Sequence, residues 1–152
     1  MPGLAIPDYR LPQEIYRREV AAMQSTPKDA LRGGLRCSLS AFTAMHEGRP
    51  VAMLGVVPVA MLGSHGRVWL LGTNDLFNHT RDFLRLGPQV LPFWMKTFKR
   101  IDNIVSVENE GAIRMLRRWN FSIGSDVHMH GELAFVPFWM ERVTIQGMVL
   151  AA

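Results

Sequence analysis

The chain has 152 residues, 48% of them apolar, and its 17 lysines and arginines against 13 acidic residues leave a formal charge of +4. That length gives one domain (1–152) a proper core, while a single cysteine, Cys37, excludes a disulfide framework and fits a reducing cytosol. The longest uncharged run, Pro50–Ser64, is too short for a bilayer span and is broken by Gly55, Pro58 and Gly63, so the expectation is a soluble, cytoplasmic protein without a signal segment.

Residues 1–11 carry two prolines and no clear alternation, and define no element. Residues 12–25 predict a first helix, with Pro12 in its opening turn and Tyr16, Val20 and Met23 along one face. Thr26 reads as the N-cap of a second helix, with Asp29 in the favoured third position and Gly33-Gly34 as its stop. Residues 38–46 and Val51–Val57 flank the turn signal Glu47-Gly48-Arg49-Pro50 and predict a hairpin. The string PVAMLG occurs at 50–55 and again at 58–63; a period of eight is too short for a repeat architecture.

Arg67–Leu71 reads as a buried strand ending at Gly72-Thr73-Asn74-Asp75. A helical region over about 79–100 starts at a His79-Thr80 cap and is interrupted by Gly87-Pro88. Its second part begins near Pro92, with Leu91, Trp94, Phe98 and Ile101 on one face. A strand at 103–108, a helix at 110–119 and two strands at about 121–129 and 132–141 complete the chain. The order helix, helix, hairpin, strand, helix, strand, helix, hairpin gives an α+β class, with one central, partly antiparallel sheet covered by helices.

The junction VENEGAIRMLRRWNF, residues 107–121, is the most informative stretch. Asn109 suits an N-cap, and Glu108 and Glu110 sit where the positive end of a helix dipole favours them. Ala112, Met115, Leu116 and Trp119 form the apolar face, and Asn120 stands where the helix exits through a left-handed residue, with Phe121 folding back.

Asn109, Ala112, Ile113, Leu116 and Phe121, in that spacing after a strand, resemble the second cofactor-binding motif of the GNAT superfamily of N-acetyltransferases. The likeness covers about residues 12–141 and looks like a phage- or prophage-encoded branch, similar to an internal or head-assembly protein of podoviruses. It implies a GNAT-like acyl-CoA N-acyltransferase fold, in which two neighbouring parallel strands splay apart and acetyl-CoA lies in the gap. It further implies acetyl transfer from acetyl-CoA to an unknown amine or protein acceptor entering over the 12–34 helices. The cofactor-binding positions it implies are Leu70, Leu71, Gly72, Thr73, His79, Thr80, Arg81 and Asn109. Glu108 and Asp75, at the ends of the two splayed strands, are the candidate catalytic bases. The alternative is a catalytically degenerate GNAT fold serving phage virion assembly or host interaction, with phage structural proteins as partners and residence in the virion.

Three departures from the family pattern are visible. The glycine-rich pyrophosphate loop is replaced by GTNDLFNHTRDFL. Leu116 stands where many members place a tyrosine that protonates the departing thiolate, and Tyr9 and Tyr16 are the chain's two tyrosines. The usual first strand is missing before Pro12, which leaves a sheet edge for a partner in a homodimer to cover. His128 and His130 with Glu132 are a metal-chelating pattern of three ligands, for which the polar hairpin tip is the plainer reading, so no metal is expected. The scattered basic residues form no nucleic-acid arm, and neither nucleic acid nor membrane is an expected partner.

Overall fold

The computed structural model describes residues 18, 21–22, 26–60, 63–145 and 148–151. Tyr9, Tyr16 and the segment 1–11 lie outside them, and of the expected first helix only residues 18 and 21–22 are described, all helical.

Helix α1 (Pro27–Cys37) opens as its sequence requires: the Thr26 hydroxyl oxygen accepts from Asp29 N at 3.2 Å and Pro27 occupies the first turn. Gly33-Gly34 does not stop it. The helix runs through both glycines because Gly34 lies under the Trp69 ring, 3.1 Å from where a Cβ would stand, and Ser38 N caps the end on Gly34 O. Gly34 serves packing here, not termination, while a Cβ at Gly33 would meet nothing within 4 Å.

Strands β1 (Ser40–His46) and β2 (Arg49–Pro58) form the expected hairpin. Glu47 (φ 48°) and Gly48 (φ 77°) both turn left-handed, the backbone sense that matches the twist of two antiparallel strands. β3 (His65–Gly72) pairs antiparallel with β2, from Ala52↔Gly72 to Pro58↔Gly66. The second PVAMLG copy ends β2 and enters the connection, while the first lies within the strand.

A 3₁₀ turn (Asn74–His79), α2 (Thr80–Leu84) and α3 (Gly87–Thr97) carry the chain to β4 (Arg100–Ser106), parallel to β3. The His79 side chain makes no cap bond. The second helical stretch begins at Gly87, not near Pro92: Pro88 suits the opening turn, and Pro92 sits inside on an exposed face, where water can satisfy the carbonyl it leaves unpaired. Gly87 is required because Trp119 of the next helix packs directly against its Cα. At the far end of α3, the Arg142 guanidinium donates to the carbonyls of Met95 (2.9 Å), Lys96 (3.0 Å) and Phe98 (3.2 Å), closing the helix on terminal acceptors that have no partner within it.

Helix α4 (Glu110–Arg118) follows, capped by Asn109 Oδ1 accepting from Ala112 N at 3.2 Å. It ends as expected: Asn120 adopts φ 66°, Phe121 N donates to Leu116 O, and the Phe121 ring turns edge-on to Phe138. The two final strands differ from expectation. The run 121–129 divides into β5 (Ser122–Ile123) and β6 (His128–His130), while β7 extends over Leu133–Ile145. Pro137 explains the break. Its carbonyl accepts from Gly124 N, so its nitrogen, which has no hydrogen, faces the same neighbour and leaves the ladder without a donor there.

The sheet order is β1-β2-β3-β4-β7-β5, with β6 and β8 (Met148–Ala151) also pairing with β7. Val56, Ile101, Met95, Phe98 and Trp94 form the core between the sheet and α3. The α+β class and the mainly antiparallel sheet are as expected, and among the described residues no helix is long and apolar enough to cross a membrane.

Arg142→Ala removes all three carbonyl contacts at the end of α3, and urea denaturation should show a loss of about 1–3 kcal/mol. Unchanged stability would mean that water caps the helix equally well.

Candidate active site

The parallel ladder between β3 and β4 consists of three residue pairs, His65↔Arg100, Gly66↔Ile101 and Arg67↔Asp102. Both strands then continue without pairing to each other, β3 to Gly72 and β4 to Ser106. Each is held by its other neighbour: β2 pairs with β3 as far as Gly72, and β7 pairs with β4 as far as Ser106. The gap therefore stays open without either strand fraying.

Asn103 stands in the fork. Its Nδ2 donates to Val68 O across the gap at 2.7 Å, and its Oδ1 accepts from Ile104 N at 2.8 Å. One carboxamide thus satisfies a polar group of each strand where ladder bonds cease. Below the fork, Asp102 gathers three basic side chains: His65 Nε2 at 2.7 Å, Arg100 Nε at 3.3 Å and Arg67 Nε at 3.8 Å. The His65 approach lacks hydrogen-bond alignment.

Above the fork lies a cleft of about 300 Å³. Its strand wall includes Leu70 and Gly72 of β3 and Ile104 and Val105 of β4; its helix wall includes Phe83 and Leu84 of α2 and Asn109, Gly111, Ala112 and Met115 at the head of α4. Leu91, Trp94, Trp119, Phe121 and Phe138 also line it. No ionisable side chain is among the described residues of the lining.

The expected cofactor positions divide. Leu70, Gly72, Thr73, Thr80 and Asn109 line the cleft; Leu71, His79 and Arg81 do not. Backbone direction accounts for part of this. Thr73 N donates to Val51 O, so Thr73 and, by the two-residue alternation of a strand, Leu71 turn their polar groups toward β2. The groups of Leu70 and Gly72 face the gap. His79 lines a second cavity, and Arg81 is exposed on α2. Glu108 and Asp75 also stand off the lining. Glu108 is half-exposed in the turn before α4, 2.8 Å from Arg18 Nη1. Asp75 accepts from Asn78 Nδ2 at 3.1 Å and lies 3.7 Å from His79 Nε2. The Asn78 hydrogen bond, with the fields of His79, Arg49 and His46, holds its carboxyl below the ordinary 3.8. That direction favours the ionised form and weakens Asp75 as a proton acceptor.

Asn103 and Gly111 were not anticipated as site residues. Asn103 left a signal, a carboxamide directly before the mainly apolar run Ile104–Val107, but only the missing ladder partner explains it. Among the described residues no three His, Cys, Asp or Glu side chains gather to hold a metal, and His130 packs edge-on to Phe135.

No protein-family model matches the sequence, and no curated protein matches it. Solved structures do. A GNAT-family acetyltransferase from Streptococcus pneumoniae superposes with a TM-score of 0.56 at 12% identity, over 66% of this chain and 65% of that one. A Bacillus subtilis acetyltransferase in complex with CoA gives 0.58 at 8%, over 76% and 84%. A ribosomal-protein-alanine N-acetyltransferase from Brucella melitensis gives 0.56 at 11%, over 89% and 94%. The chain spans just under two thirds of the length of the pneumococcal protein. At these identities the likeness establishes the fold: a GNAT-type acyl-CoA N-acyltransferase fold with its forked parallel strands. The narrower likeness to phage and podovirus proteins gains no support from these structures.

Two outcomes check this geometry. Asn103→Ala leaves Val68 O without its cross-gap donor and should cost roughly 1–3 kcal/mol in chemical denaturation; an unchanged midpoint means water substitutes for the carboxamide. Asp75, with its folded pKa below the unfolded value, adds stability above pH 3.8 that is lost as pH falls through the folded pKa. Asp75→Asn should therefore lower the melting temperature at pH 7 and leave it unchanged at pH 2. An equal drop at both would show that the carboxylate charge is not responsible.

Proposed function

We propose that the chain binds an acyl-CoA, acetyl-CoA first among them, in the fork between β3 and β4 and transfers its acyl group to an amine. One observation carries this: the β3 edge at Leu70 and Gly72 runs unpaired beside the capped start of α4. That edge offers two amide-spaced sets of donors and acceptors to a thin, extended chain that itself carries amides. Apolar walls exclude water around it, which strengthens each such bond. Asn109 closes the helix end of the cleft, where the α4 dipole favours a partially negative group.

The chemistry this arrangement supports is positioning. A neutral amine nitrogen attacks the thioester carbonyl carbon, the C–N bond forms, and the C–S bond breaks. The one proton this nitrogen loses ends on the CoA sulfur; an amine that arrives as an ammonium first gives its extra proton to solvent. Strand N–H groups beside the gap polarise the carbonyl as charge develops on its oxygen. The likeness to an acetyltransferase in complex with CoA and to a ribosomal-protein-alanine N-acetyltransferase supports this reading.

A second reading, the same fold kept for binding without chemistry in phage assembly or host interaction, is favoured by the lining without ionisable groups. One pair of measurements separates the two. Titration calorimetry with CoA should give a Kd tighter than about 1 mM, and Gly111→Trp should abolish it. A Cβ at Gly111 meets nothing within 4 Å, so the indole fits on the helix and reaches the cleft it borders. CoA binding with no thiol release from acetyl-CoA over a panel of amines selects the second reading; no CoA binding at all rejects both uses of the cleft.

A further inference from the structure

A second cavity, of about 600 Å³, lies between the edge strand β1 and helices α2 and α3. Its size is that of a small-molecule site, and its composition is too: apolar and aromatic walls with a few converging polar groups. At its mouth Phe42 and Phe93 meet edge to face with centroids 6.3 Å apart, both exposed. At another part of the lining the imidazole of His46 stacks on that of His79 at 3.8 Å, and His79 Nε2 is 3.7 Å from Asp75 Oδ2. No lysine or arginine is among the described lining residues, and the one carboxylate is Asp82. Its ion pair with Arg85, 3.5 Å long, is solvent-exposed on both sides and weak.

We infer that this cavity binds a primary amine on an aromatic or otherwise flat apolar body. The ammonium is matched by the Asp82 carboxylate and by ring faces that attract cations; the body is matched by Phe42 and Phe93. Leu54 and Phe83 line both this cavity and the cleft, so two side chains form the partition between them. On the acyl-transfer reading, on which this role rests, the amine held here is the acceptor.

The test uses the full chain, 2-phenylethylamine as probe and 3-phenylpropionate as its anionic counterpart, followed by ligand-observed NMR with and without saturating CoA. The amine should bind saturably, at least about tenfold tighter than the carboxylate, and should persist when CoA is present. Asp82→Asn should remove most of that preference, and Phe93→Ser should weaken both probes, while CoA titrations of both variants match the parent. Both residues are exposed, so the variants keep their fold. In acetyl transfer, Asp82→Asn should raise the amine KM at least threefold. Equal affinity for the carboxylate, displacement of the amine by CoA, or a Phe93-dependent dimer in sedimentation that closes the mouth overturns the inference. Amine binding without any CoA binding removes the acceptor role and the acyl-transfer reading together, leaving the amine site; CoA binding without amine binding does the reverse.

Discussion

A parallel strand pair that stops short exposes backbone donors and acceptors inside a protein, where each costs free energy unless it finds a partner. Here the ladder between β3 and β4 stops after Arg67↔Asp102, and the Asn103 carboxamide takes over at the fork by bonding Val68 O and Ile104 N. The rest of the site depends on that substitution. Above it the strands diverge and leave Leu70 and Gly72 facing a gap; below it Asp102 ties His65, Arg67 and Arg100 together and keeps the paired part from opening further.

The helices hold the gap at a fixed width. Trp119 packs against Gly87 and donates from Nε1 to Leu84 O, so α4 is locked to the α2–α3 junction across the cleft. Arg142 anchors the other end of α3. Large aromatic side chains thus brace the walls of the cleft, and space remains between them because each is also committed elsewhere: Trp94 to Ser40, Trp69 to Ser38, Phe121 to Phe138. An apolar opening of this kind is costly unless an apolar ligand fills it, which is the physical case for an occupant.

Charge is distributed in the opposite sense. The ion pairs gather at the base of the fork, at the turn before α4 and around the 3₁₀ segment, and the described lining of the cleft holds none. Water exclusion and oriented backbone dipoles are therefore what the cleft would contribute to the proposed acyl transfer, with proton exchange at its margins. The second cavity, lined by His46, His79 and Asp82 and sharing Leu54 and Phe83 with the cleft, is the margin to which the inferred amine site belongs.

Local rules written in the chain were followed closely. Thr26 and Asn109 cap helices, Glu47-Gly48 turns a hairpin, and Asn120 ends α4 left-handed, because each depends on a few neighbouring atoms. The Asn109-to-Phe121 spacing carried the fold likeness for the same reason. Where reading failed, a distant contact overrode local preference: the helix continues past Gly34 where Trp69 covers it, and a strand breaks at Gly124 because Pro137 lies opposite. The site was legible in part. The positions along β3 were visible, but which of Leu70–Thr73 face the gap was decided by pairing with β2, and Glu108 and Asp75 were drawn to Arg18 and Asn78. By itself the sequence determined the elements and the corner at Asn109, since caps, turns and periodicity are short-range. Only the tertiary structure decided where the strands part and what lines the opening, because both rest on residues such as Asn103 and Val68 that meet across 35 positions of chain.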